Sequence, residues 1–164
     1  MKQINIITGN IRAGKTTFLE NYLLSLKFAE GVLQPTVDNQ RFFRDIKSKT
    51  QKTITTKQNS KDSFKIGKFT FSLEAFVWAK EKLSEALEGG AEIIVVDEYG
   101  PLEFSGNGLE PIVTKIILNV KESSNRKIII IVKETLLEKF LTKFQLTFEE
   151  VDIIRIENQS KVLS

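Results

Sequence analysis

The chain has 164 residues, the size of one ordinary domain, and its 41% hydrophobic and 27% charged residues read as a soluble globular protein. Its net charge of +3, from 24 basic and 21 acidic residues, suits an anionic ligand but falls short of the clustered basic face that nucleic-acid binding needs. Without cysteine there are no disulfides or thiolate metal sites, and without histidine any acid–base work falls to carboxylates or lysines.

Residues 3–8 form a short apolar strand that ends at Gly9. It begins almost at Met1, so no signal peptide is expected, and no apolar run approaches the ~20 residues of a membrane span. The expectation is a cytoplasmic protein without a membrane partner. From Lys15 to about Ala29, Phe18, Leu19, Tyr22, Leu23 and Leu26 share one helical face, with Gly31 as the expected stop. The span 32–71 reads as a hairpin-like insertion, with strands at 53–57 and 64–71 and a turn at Gly67. Its basic stretch from Arg41 to Lys61 reads as a solvated surface.

Ser72 is placed to cap a helix over 73–88, with Leu73, Phe76, Val77, Leu83 and Leu87 inward and Gly89-Gly90 at its end. Residues 92–97 are an almost continuous apolar run, the pattern of a parallel strand buried on both faces. A loop over 99–108 leads to a helix carrying Leu109, Ile112, Val113, Ile116, Ile117 and Val120, with Pro111 near its first turn. A second apolar strand at 127–132, a short helix around 136–144 and a last strand at 151–156 complete the chain. Alternating strands and helices predict one three-layer α/β domain over residues 1–164, with a mostly parallel sheet and helices on both faces.

Gly9, Gly14, Lys15 and Thr16 meet the pattern G-x-x-x-x-G-K-[ST]. A chain this long matches it by chance only roughly 0.5% of the time, and here the match lies between a strand and a helix, as the motif requires. The loop's amides form a concave anion site, so Gly9, Asn10, Ile11, Arg12, Ala13, Gly14, Lys15, Thr16 and Thr17 are the expected triphosphate contacts. Lys15 would reach the β- and γ-phosphates, and Thr16 would offer its hydroxyl to Mg²⁺. Arg12 can touch phosphate or point into solvent.

Asp97-Glu98 ends the apolar strand at the sheet edge where α/β ligands bind. Asp97 is the candidate to hold Mg²⁺ through its waters, and Glu98 the candidate base for a water attacking the γ-phosphate. Lys133 ends the strand 127–132. The expected order puts that strand between 3–8 and 92–97, with 151–156 on the far side of 3–8; Lys133 then either points at the γ-phosphate or is a surface lysine in the strand-to-helix turn. Glu157, Asn158 and Gln159 either line the base pocket or form a polar tail. Arg41 and Arg44 can supply an arginine finger, or sit at the rim while Phe42 and Phe43 pack in the core.

Ile7-Thr8-Gly9, Gly14-Lys15-Thr16-Thr17 and Asp97-Glu98-Tyr99-Gly100-Pro101-Leu102-Glu103 resemble the cancer-related and thermophile nucleoside-triphosphatase family, known for a D-E-x-G-x-x-E stretch. The segment from Gly67 to Phe76 is similar as well. The resemblance covers the first 30 residues and roughly 66–120. It implies slow Mg²⁺-dependent hydrolysis of ATP, GTP and other nucleoside triphosphates, and adds Glu103 as a further acid near the site. A small-molecule or nucleotide kinase is the competing enzyme class; with five arginines and none clustered after residue 126, the chain lacks the Arg-rich lid such kinases use to exclude water. The third class is a non-catalytic nucleotide switch with a protein partner.

Overall fold

The computed structural model describes residues 1–10, 13–56, 63–66 and 69–157. The chain runs β1 (Ile4–Gly9), α1 (Lys15–Leu23), β2 (Ala29–Leu33), β3 (Thr36–Val37), β4 (Gln40–Asp45) and β5 (Gln51–Thr53). Then come the hairpin β6 (Ser63–Ile66) and β7 (Phe69–Ser72), the long helix α2 (Leu73–Glu88) and the strand β8 (Ile93–Tyr99). The rest is α3 (Pro101–Phe104), α4 (Ile112–Glu122), β9 (Lys127–Lys133), α5 (Leu137–Lys143) and β10 (Val151–Ile156).

Five parallel strands stand in the order β10-β1-β9-β8-β2, and β4, β3 and β5 extend the β2 edge in antiparallel fashion. The expected order holds: β9 separates β1 from β8, and β10 flanks β1 on its far side. The apolar runs 93–96 and 128–132 occupy this centre because only strands covered on both faces need no polar alternation. Period-two alternation divides them between two cores. Ile94, Val96, Ile128 and Ile130 pack towards α2, α4 and α5, while Val95, Ile129, Ile131 and Ile7 pack towards Leu19 of α1. Helices therefore cover both faces, as expected.

The structure corrects three readings. Helix α1 stops at Leu23, and Gly31 is no helix stop but the middle of β2, paired with Val95. Glycine is required there: φ is +132°, and a Cβ would lie 2.1 Å from the Val95 carbonyl oxygen. In α2, Leu73 and Val77 are exposed, and the buried stripe is Ala75, Phe76, Ala79, Leu83 and Ala86. Small alanines let the helix lie close to the sheet, a role that hydrophobicity alone does not reveal. Strand β5 ends at Thr53, and the apolar residue after it, Ile54, is fully buried and donates its N–H to the Arg41 carbonyl at 2.8 Å. Lys57 and Gly67, assigned above to a strand and a turn, lie outside the described residues.

The Ser72 cap is present, its hydroxyl accepting from the Ala75 N–H at 3.2 Å. Gly31→Ala should lower stability by at least about 2 kcal/mol, since strain and a backbone clash act together. Urea unfolding of the two proteins measures this directly.

Candidate functional site

The end of β1 and the start of α1 form a tight loop. Ala13 N–H donates to the Asn10 carbonyl at 3.1 Å, and Gly14 adopts the left-handed φ of +86° that lets the chain turn into the helix. Gly9 lies so close to β10 that a Cβ would meet the Ile156 carbonyl oxygen at 2.6 Å. The Lys15 ammonium folds over the loop and donates to the carbonyls of Asn10 at 2.7 Å and Gly9 at 3.2 Å. Burial lowers its pKa below that of an ordinary lysine, an effect the charge of Glu98 offsets in part. Ile11 and Arg12 lie outside the described residues.

Asp97 is buried at the end of β8, and its Oδ2 accepts from the Thr16 hydroxyl at 2.9 Å and the Gln34 N–H at 2.7 Å. Burial pushes its carboxyl up to about 6, and these two hydrogen bonds pull in the opposite direction. The oxygens of Thr16 and Asp97 thus converge beside Lys15. Both are hard donors, the type Mg²⁺ takes, so the donor set fits that ion. Among the described residues no group of three or more acidic side chains is placed to hold a metal. A magnesium ion here would draw most of its ligands from phosphate and water, its usual habit.

Glu98 stands at a break in the β8–β9 ladder, between the paired residues Val96 and Tyr99, with a left-handed φ of +73°. The irregularity turns its carboxylate to the sheet edge, where Lys133 and Arg41 each approach it at 3.5 Å. Lys133 is there because β9 abuts β1, with Lys133 paired to Gly9. Arg41 comes from β4 and also donates to the Gln34 side-chain carbonyl oxygen at 2.8 Å. The described residues of the phosphate-binding loop (P-loop, 9–16), both strand-end acids and Lys133 therefore lie together at one sheet edge.

The whole chain, and not only the loop, fits one family. The family model described as NTPase matches residues 5–163. This chain belongs to that NTPase family. The curated nucleoside-triphosphatase THEP1 of Sulfolobus acidocaldarius is 29% identical over 167 residues, covering 96% of this chain and 92% of that protein. Among solved structures, THEP1 from the hyperthermophile Aquifex aeolicus superposes with a TM-score of 0.73 at 17% identity, over 98% of this chain and 93% of that one. A human cancer-related nucleoside triphosphatase, solved in solution, gives 0.68 at 16% identity, over 97% and 91%. The two structural likenesses confirm the α/β fold. The enzyme is a nucleoside triphosphatase.

Other expected site residues of this NTPase sit differently. Arg44 points away from Glu98 and pairs with Glu20 of α1 at 3.1 Å, because alternation on β4 puts it opposite Arg41. Phe43, on the Arg41 face, is fully buried against Phe76. Glu157 is exposed, and Asn158 and Gln159 lie outside the described residues. Gln34 carries no sequence signal of its own, for it follows β2, a strand whose central Gly31 has the pattern of a helix stop. It is the link between Asp97 and Arg41.

Glu103 is buried, and its two oxygens accept from the N–H groups of Gly100 at 3.0 Å and Leu109 at 3.1 Å. It ties down the loop that follows Glu98. Tyr99 adds a second tie, donating its hydroxyl to buried Glu110 at 2.6 Å. Burial raises the Glu103 carboxyl to about 7. A group raised on folding contributes stability below the ordinary carboxylate range, and that stability is lost as pH rises through the folded value. Relative to Glu103→Gln, the parent should lose up to about 3 kcal/mol between about pH 5 and about pH 8. Chemical unfolding of both proteins at the two pH values gives the difference.

Proposed function

We propose that this NTPase hydrolyses several nucleoside triphosphates, ATP and GTP among them, with Mg²⁺ held near Thr16 and Asp97 and Glu98 as the general base. The observation that carries this reading is the convergence of Thr16, Asp97, Glu98 and Lys133 beside the P-loop. Its contacts address phosphates, which all nucleoside triphosphates share, so broad tolerance of the base follows. The amides of residues 9–17 and the Lys15 ammonium bind the β- and γ-phosphates. Magnesium, when bound, would neutralise charge on the phosphate oxygens.

Glu98 accepts a proton from water as the water oxygen bonds to the γ-phosphorus and the bond to the β-bridging oxygen breaks. Lys133 and Arg41, both within reach of Glu98, offer cationic charge to the negative charge on the γ-phosphate's three oxygens. Arg41 serves as an arginine finger supplied by the same chain. Gln34 holds Asp97 and Arg41 in a common frame. No helix among the described residues is long and apolar enough to cross a membrane.

Lys15→Ala should lose most triphosphate affinity while keeping its fold, because the ammonium packs little core; calorimetric titration with ATP checks this, and parental affinity would remove the P-loop role. Glu98→Gln should separate binding from chemistry. Hydrolysis should slow by about 10²–10⁴-fold, since an amide cannot take the proton. Affinity should hold, because it comes from the loop amides and Lys15. Phosphate release and ATP titration on the same sample give both values, and hydrolysis within about threefold of the parent would move the base elsewhere.

A further inference from the structure

Two cavities meet at Lys133. One, about 300 Å³, is bounded by Gly9, Asn10, Lys133, Glu134 and Thr135 and lies against the P-loop. The other, about 440 Å³, is lined by Glu98 and by none of the described P-loop residues. Its polar lining is Glu98, Arg41 and Lys133, with Gln34, Glu103 and Ser105 beside them. Its apolar walls are Ile54 just past β5, Phe71 of the β6–β7 hairpin, Phe76 of α2 and Leu102 of α3. Phe71 and Phe76 stand nearly edge to face, with ring centroids 6.3 Å apart.

Hydrolysis does not need this space. A single water takes about 30 Å³ in the liquid, and apolar walls give further waters few partners. The volume is that of a small-ligand pocket, about 300–1,000 Å³. It cannot be the nucleobase site of a triphosphate held in the P-loop, since it joins the γ-phosphate end and the base lies at the other.

We propose that this second cavity is an acceptor site: it binds a small alcohol with an aromatic or branched apolar body, and the γ-phosphoryl group passes to that alcohol in competition with water. The inference rests on the reading of Glu98 as the base. Glu98 requires a partner that can surrender a proton, which an alcohol does. A carboxylate would be repelled by Glu98, and an ammonium would pair with it and has no lone pair to attack. In the transfer the alcohol oxygen bonds to the γ-phosphorus, its proton goes to Glu98, and the bond to the β-bridging oxygen breaks. The products are a phosphate monoester and the nucleoside diphosphate.

The test uses the intact protein with ATP, Mg²⁺ and either 2-phenylethanol or 3-methyl-1-butanol, with products followed by ³¹P NMR. A phosphate monoester should appear beside inorganic phosphate and saturate with alcohol concentration. Leu102→Trp fills the cavity from α3. Ile66→Trp does so from the hairpin, where Ile66 is 41% exposed, so folding is not at stake. Each should cut ester formation at least about tenfold while phosphate release without alcohol stays within about twofold of the parent. The proposal is overturned if neither alcohol yields an ester while hydrolysis proceeds. It is equally overturned if the ester rises linearly with alcohol and persists in both Trp variants, which is solvent competition without a site. Glu98→Gln keeps the two readings apart. Loss of ester and phosphate together supports both, whereas parental rates of both reactions would remove the base assignment and leave the cavity as the acceptor site.

Discussion

A strand sends consecutive side chains to opposite faces, yet this site needs two consecutive acids at one edge. Asp97 follows Val95 towards α1, where it meets Thr16. Glu98 would follow Val96 into the opposite core, an untenable place for a carboxylate. The break in the β8–β9 ladder and the left-handed backbone at Glu98 resolve the conflict by lifting that side chain to the rim. Such a conformation costs of order 1–3 kcal/mol at a residue other than glycine and persists only when its surroundings hold it. Arg41 and Lys133 supply part of that restraint.

The rest comes from the segment that follows. Tyr99 returns to the core and is tied by its hydroxyl to Glu110, itself bonded by the Thr114 N–H and hydroxyl. Glu103 draws Gly100 and Leu109 together. Lys143 of α5 lies 3.9 Å from the Glu110 carboxylate and over the Tyr99 ring. Buried acids in this loop therefore serve the position of an acid at the surface, and Glu103 does so through its bonds to the Gly100 and Leu109 N–H groups.

The antiparallel extension has a corresponding purpose. Strand β2 brings Gln34 beside Asp97, and β4 returns Arg41 to Glu98. Ile54, just past β5, and Phe71 of β7 then wall the space beyond Glu98. What reads in sequence as a basic, weakly patterned insertion forms the outer side of the site.

Local features determined much of this protein. The glycines, lysine and threonine of the loop carry their own chemistry, and fully apolar strands are legible because burial on both faces leaves no polar alternation. Ser72 announced its helix in the same local way. Strand β2 was not legible, since Gly31 is an answer to the Val95 backbone of a neighbouring strand far away in sequence. The stripe of α2 was misread because alanines count for their smallness only against a particular sheet surface. Which of two nearby arginines reaches Glu98 depended on the register of β4, and register is set by partners. Residue types thus determined that triphosphate chemistry was present, while pairing between distant strands alone decided which side chains meet around it, because contact across a sheet depends on order and register that no local pattern encodes.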